Sequence, residues 1–156
     1  TYSRRALAGI GLDLDFVQDN DSVSVQRGTV RGLHFQVSPF AQHKLVRVVR
    51  GAILDVAVDL RRGSPTRGRH VAVEVGAEQW NQVLVPIGFA HGFCTLEPDT
   101  HVIYKVTCPY APEHATGLLW SDPALGIRWP VSAGEAVLAQ RDTQWPPLAE
   151  LPDYFP

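Results

Sequence analysis

Lys44-Leu45-Val46-Arg47-Val48-Val49-Arg50, then Gly51, then Ala52-Ile53-Leu54-Asp55-Val56-Ala57-Val58-Asp59-Leu60 is the most informative stretch of the chain. Polar and apolar side chains largely alternate with period two, β-branched residues dominate, and one glycine divides the run. It therefore reads as two strands joined tightly at Gly51. Downstream, the turn signals Gly63-Ser64-Pro65 and Gly68 precede a strand at His70–Val75, a turn near Gly76 and a strand at Gln82–Val85 that ends at Pro86. Further strands follow at Gly92–Leu96 and, beyond the Pro98-Asp99 turn, at Thr100–Thr107. Strands recurring every ~8–12 residues between Gly/Pro turns predict an all-β sandwich or barrel. Helical pattern is confined to the ends. Thr1–Leu7 and Ala133–Asp142 read as short helices, the second with Ser132 and Glu135 spaced as a capping box. Tyr110 to Pro130 reads as an extended segment laid over the barrel, with Trp120 and Trp129 as packing residues.

The chain has 156 residues, 45% of them hydrophobic, which suits one domain with one core. Fourteen Lys and Arg against 16 Asp and Glu leave a formal charge of −2, so no strong field favours nucleic acid or an acidic membrane. Nothing resembles a secretory h-region or a membrane span, so a cytoplasmic protein with Cys94 and Cys108 reduced is expected; a Cys94–Cys108 bridge is the alternative. There is no Met. A chain that begins at Thr1 is therefore expected to be a processed product or a segment of a longer protein.

Small barrels normally fill themselves with apolar side chains, so polar residues on an inward face need a reason. In Gly28-Thr29-Val30-Arg31-Gly32-Leu33-His34-Phe35-Gln36, alternation puts Gly32, His34 and Gln36 on one face and Arg31, Leu33 and Phe35 on the other. Arg31 and His34 can share a cavity only if Gly32 sits at a bulge. Lys44, Val46 and Val48 share a face, as do Ile53, Asp55, Ala57 and Asp59; taken singly, the lysine and the aspartates read as solvent-facing. The run Pro86-Ile87-Gly88-Phe89-Ala90-His91 is Pro-x-Gly-x-x-His, similar to the second motif of cupin barrels, which delivers a histidine to the barrel mouth. None of the six histidines, His34, His43, His70, His91, His101 and His114, forms the His-x-His pair of a metal-binding cupin. Metal-free acid–base chemistry by His34, Lys44, Asp55, His91, Tyr104 and Asp142 is the other use of such a mouth. Arg61, Arg62, Arg67 and Arg69 read as a solvated loop rather than a pyrophosphate site.

Several segments together resemble the dTDP-4-dehydrorhamnose 3,5-epimerase family. They are Phe16-Val17-Gln18-Asp19-Asn20, Val30 to Gln36, Lys44 to Gly51, Asp55 to Asp59, Pro86 to Phe93, Tyr104-Lys105, Tyr110 to His114 and Asp122 to Pro130. The resemblance runs from Phe16 to Asp142 with the motifs in order. It implies a cupin-type jelly-roll barrel of antiparallel strands with short terminal helices, no cofactor and no metal, and a homodimer. The implied substrate is a dTDP-4-keto-6-deoxy sugar nucleotide, epimerised on the way to dTDP-L-rhamnose or a related deoxysugar. The implied roles are His34 as base, Asp142 as its carboxylate partner, Lys44 beside the enolate oxygen and Tyr104 as the acid on the opposite ring face. His91, oriented by Asp55, and Tyr110 are expected to contact the sugar. Gln18, Asp19, Asn20, Arg31 and Arg141 are expected near the nucleotide and its pyrophosphate.

The chain departs from the family pattern in four places. Ala115 stands where an acidic residue is usual, Asp21 where a histidine is usual, and one extra residue lies between Ser24 and Gly28. An N-terminal segment of roughly two strands, carrying an arginine and an acidic residue that reach a nucleotide site, is expected before Thr1. Three rivals remain at this point. They are an epimerase acting at C3 only or C5 only, a non-catalytic sugar-nucleotide-binding cupin, and a metal-dependent cupin oxygenase.

Overall fold

A computed structural model describes residues 2–156; Thr1, where the expected N-terminal helix begins, lies outside the described residues. The strands are β1 (Gln18–Ser24), β2 (Thr29–Gln36), β3 (Lys44–Arg50), β4 (Ala52–Asp59), β5 (His70–Gly76), β6 (Gln82–Val85), β7 (Phe89–Thr95), β8 (Thr100–Val106), β9 (Ala115–Gly117) and β10 (Val137–Leu138). One sheet has the order β1-β8-β3-β6; the other runs β10-β2-β7-β4-β5, with β9 also paired to β2. Pairing is antiparallel throughout except for the short parallel contact of β10 with β2. This is the expected all-β fold, a cupin-type jelly roll. Although β3 and β4 meet at Gly51, they do not form a hairpin. β3 pairs with β6 and β8, and β4 with β5 and β7, so the chain changes sheets at this residue. Gly51 has φ 74°, and a Cβ there would lie 2.5 Å from the Thr100 hydroxyl, so glycine is required by both backbone and space.

Alternation on β4 is blurred because this strand is covered on both faces. Inward, Ile53 packs with Val46, Val48, Val75, Phe93 and Val102 between the two sheets. Outward, Val56 and Val58 pack with Leu33, Phe35 and Ala90 beneath Leu118, Leu125, Leu151 and Phe155 of the C-terminal third. Full burial of such side chains contributes about 1.5–3 kcal/mol each. The segment after Tyr110 thus covers the barrel as expected. Trp120 is buried against Val30 and Cys94, and the Trp129 indole N–H donates to the Trp120 carbonyl at 2.8 Å.

Several expectations need correction. No helix forms over Ala133–Asp142. Ser132 and Glu135 do bond, hydroxyl to carboxylate, at 2.6 Å. Beyond them Val137 and Leu138 leave as β10 along Thr29 and Val30, where Leu138 packs into the Val30 cluster, and Gln140–Thr143 forms a 3-10 turn. Gly134 weakens a helix here, and the free edge of β2 offers better backbone partners. The N-terminal helix covers Arg4–Ala8, with the Ser3 hydroxyl accepting the Ala6 N–H. β7 starts at Phe89, three residues before Gly92, which puts His91 within the strand. Asp59 is not on the solvent side. It is buried and accepts bonds from Arg61, Ser64 and Thr66. The arginine loop is indeed solvated: Arg61 pairs with Asp59, and Arg62 and Arg67 pair with Asp153. Cys94 and Cys108 are free thiols, and burial pushes the Cys94 pKa up to about 11. No described helix is long and apolar enough to cross a membrane.

Candidate active site

The inner faces of the two sheets are apolar at one end and polar at the other. Alternation places Lys44 on β3 and Tyr104 on β8 toward the interior of the four-stranded sheet, in line with buried Val46 and Val102. Facing them from the other sheet are His34 on β2, His91 on β7 and Asp55 on β4. Arg31 joins them through a bulge: Arg31 lies opposite Phe93 and His34 opposite His91, so three steps on β2 match two on β7. Gly32 makes the bulge possible, having φ 138° and lying so close to β7 that a Cβ would sit 2.5 Å from the Gly92 Cα.

Two adjoining cavities share His34, Lys44, Tyr104 and Arg141 on their walls. The first, of about 120 Å³, is completed chiefly by Arg31, His91, Ser22 and Asp142. The second, of about 230 Å³, reaches Tyr110, Gln36, Ala115 and Trp145.

His34 Nε2 and Asp142 Oδ1 are 2.6 Å apart. Burial lowers the His34 pKa, with the Lys44 and Arg141 cations acting the same way; the hydrogen bond and charge of Asp142 oppose this without reversing it. Burial works against the Asp142 carboxylate, but bonds from His34, the Trp145 indole and the Gly32 N–H hold its pKa below the ordinary carboxylate value. The pair at neutral pH is thus a neutral imidazole on an anionic carboxylate. With Nε2–H directed at Asp142, the lone pair of Nδ1 is the free basic position.

Lys44 donates from Nζ to the His34 carbonyl at 3.2 Å. Its pKa is lowered by burial to about 8, against the pull of Asp55. Burial raises the Tyr104 pKa; Arg31 and Arg141 offset part of this, so the phenol keeps its proton. A second His–Asp pair lies deeper, with His91 Nε2 2.8 Å from Asp55 Oδ2 and both residues buried. The solvent-facing reading of Lys44 and Asp55 therefore fails. Each sits on the inner face, where a partner or the cavity replaces water. Among the described residues, no three His, Cys, Asp or Glu side chains converge to hold a metal ion.

Of the twelve residues singled out from the sequence, His34, Lys44, Tyr104, Asp142, Arg31, His91, Arg141 and Tyr110 line the two cavities, and Asp55 stands behind His91. Gln18 and Asn20 face inward on β1 but act at one remove. The Gln18 amide donates to Asn20 at 2.8 Å and accepts the Tyr110 N–H at 3.1 Å, anchoring the Tyr110 loop. Asp19 is not brought into the site; alternation turns it to the outer face, where it pairs with Lys105 at 2.6 Å. Sequence reasoning passed over Ser22, Gln36 and Trp145. Gln36 shares the parity of His34 and ties down the Phe40, Pro109 and Ala111 backbone, and Trp145 lies three residues after Asp142, just beyond the 3-10 turn.

The family model described as dTDP-4-dehydrorhamnose 3,5-epimerase matches residues 1–150. A curated dTDP-4-dehydrorhamnose 3,5-epimerase from Sinorhizobium fredii is 56% identical over 154 residues, 99% of this chain and 76% of the relative. The crystal structure of the Bacillus anthracis dTDP-4-dehydrorhamnose 3,5-epimerase with TDP and PPi bound superposes with a TM-score of 0.91 at 48% identity, covering 94% of this chain and 82% of that one. The dTDP-6-deoxy-D-glucose-3,5-epimerase of Legionella pneumophila, in complex with dTDP-4-keto-L-rhamnose, gives 0.90 at 40% identity, covering 97% and 79%. A 3'-monoepimerase from Streptomyces bikiniensis, solved with dTDP as a double mutant, gives 0.86 at 36% identity, covering 96% and 74%. Its mutated histidine and tyrosine are separated by the same 70 positions as His34 and Tyr104.

Proposed function

The chain belongs to the dTDP-4-dehydrorhamnose 3,5-epimerase family and is an isomerase, and on that premise we propose that it inverts C3 and C5 of a dTDP-4-keto-6-deoxyhexose by metal-free proton transfer. The observation that carries this reading is the set of four groups around one cavity: the His34–Asp142 pair on one sheet side, with Lys44 and Tyr104 opposite.

A ketone at C4 acidifies the C–H bonds on both neighbouring carbons. His34 Nδ1 takes such a proton, the C–H electron pair moves into the ring as an enolate, and Asp142 stabilises the imidazolium that forms. The enolate oxygen is met by Lys44, which at neutral pH is still mostly protonated. Tyr104 then gives its phenolic proton to the opposite face of the same carbon, which inverts it. Water returns a proton to the phenolate and removes one from the imidazolium, so the enzyme is restored. Acid–base catalysis of this kind contributes ~10²–10⁴-fold. Arg31 and Arg141 supply positive charge at the cavity for the pyrophosphate. The matched spacing of His and Tyr in the S. bikiniensis structure supports the base and acid assignments.

The proposal extends to a single domain that works as a homodimer in the cytoplasm. The edge strand β5 leaves Val71 and Val73 exposed, apolar surface suited to a second copy, and two free thiols suit a reducing compartment. The test is NMR of dTDP-4-keto-6-deoxyglucose incubated with the protein in deuterated buffer. Deuterium at both C3 and C5 is the expected result; deuterium at one carbon makes the protein a monoepimerase, and none at all removes the enzymatic reading.

A further inference from the structure

We propose that Trp145 is a positioning residue for the reaction, holding Asp142 and moderating how strongly that carboxylate binds the His34 imidazole; this rests on the acid–base reading above. Asp142 Oδ1 is shared. It faces His34 Nε2 at 2.6 Å and accepts the Trp145 indole N–H at 3.3 Å, while Oδ2 accepts the Gly32 N–H at 3.4 Å. The indole also lies edge-on to the imidazole, with ring centroids 6.2 Å apart, so one side chain touches both members of the pair.

A second observation shows that the chain makes room for this ring. Gly117 on β9 lies opposite His34 in the register, and a Cβ there would come within 2.6 Å of two indole ring carbons. The indole is a rigid ring that cannot bend away from such a contact, so a glycine at this position opens the slot it occupies. Slot, edge-on contact and N–H bond converge on Trp145.

The consequence for His34 follows from sharing the acceptor. Other ionisable groups around the imidazole are Lys44 on β3, Tyr104 on β8, His91 on β7, Arg31 on β2, and Arg141, next to Asp142. Removing the indole N–H changes none of them and leaves the Oδ1 lone pairs to His34 alone. The carboxylate then stabilises the imidazolium more, and the His34 pKa rises.

In Trp145→Phe, which keeps a ring in the slot, the acid limb of the deuterium-exchange rate against pH should move upward by roughly half a pH unit, with KM changed less than twofold. The His34 imidazole titration, followed by NMR in the substrate-free protein, should move in the same direction. Gly117→Ala, which expels the indole while leaving Trp145 in the chain, should reproduce the upward movement. An unmoved His34 titration in folded Trp145→Phe overturns the assignment, as does a downward one. If the titration moves but the wild-type protein exchanges no sugar protons, the positioning of His34 stands and the epimerase reading fails.

Discussion

Replacing Asp142 by Asn removes one charge from the catalytic pair at almost constant shape, and the structure allows the effect to be sized. The His34–Asp142 contact is short, at 2.6 Å, and charge-assisted, the type worth about 1.5–3 kcal/mol. The carboxylate also accepts from Trp145 and Gly32. An asparagine has one oxygen, so its NH₂ must face one of these donors or His34 itself. One lost or opposed donor adds about 1 kcal/mol. If the NH₂ faces His34 Nε2, the ring proton moves to Nδ1 and the basic lone pair leaves the cavity. Together these predict a fall of about 10²–10³-fold in the exchange rate with KM little changed. The sign of the pH effect also follows. Asp142 is the group that raises the His34 pKa against burial, Lys44 and Arg141, so its loss lowers that pKa and the acid limb moves to lower pH. The assay is deuterium incorporation into the sugar, followed by NMR from pH 5 to 9, on protein whose fold is checked by circular dichroism. A rate within threefold of wild type, or an acid limb that moves up, would refute the dyad.

Four further outcomes are expected. Tyr104→Phe should keep proton removal by His34 but lose delivery to the opposite face, so deuterium enters the starting sugar while the inverted product is absent by NMR. The wild-type rate should decline above pH 8 as Lys44, with its pKa near 8, loses its proton and its attraction for the enolate; Lys44→Gln should flatten that limb and lower the plateau. Asp59, whose pKa is held far below the carboxylate range first of all by Arg61, contributes stability that is complete above the ordinary carboxylate pKa. Asp59→Asn should cost about 1–2 kcal/mol in urea unfolding at pH 7, the exposed Arg61 being screened by solvent, and the difference should shrink as pH falls below about 4. Gly32→Ala puts a Cβ 2.5 Å from the Gly92 Cα at a positive φ, so a loss of about 2 kcal/mol or more in unfolding free energy, with a displaced His34, is expected.

β3 to β8 are legible in the sequence because β-branched and apolar runs are bounded by turns that carry Gly or Pro, even where burial on both faces, as on β4 and β7, blurs the alternation. β1 was not legible as a strand. Its Gln-Asp-Asn-Asp-Ser run is polar on both sides, one face bordering the polar end of the barrel and the other solvent, so no apolar stripe marks it. β10 reads as helix from the sequence because local capping chemistry at Ser132 and Glu135 is genuine, while the competing pairing with β2 is over a hundred residues away in sequence. The polar mouth was visible as a set of inward-facing His, Lys, Asp and Tyr positions. The solvent-facing reading of the lysine and the aspartates, each taken singly, fails because burial is a property of the assembled sheets. Arg31 could be placed only by assuming a bulge at Gly32, which the register bears out. Trp145 was invisible, since its contact with His34 depends on the C-terminal turn folding back over β9.

The most direct test of the proposed chemistry is His34→Asn, folded as judged by circular dichroism, incubated with dTDP-4-keto-6-deoxyglucose in deuterated buffer beside the wild-type protein. Deuterium at C3 and C5 is expected with wild type, and none above the buffer rate with the variant. Exchange retained by the variant at a wild-type rate would contradict it.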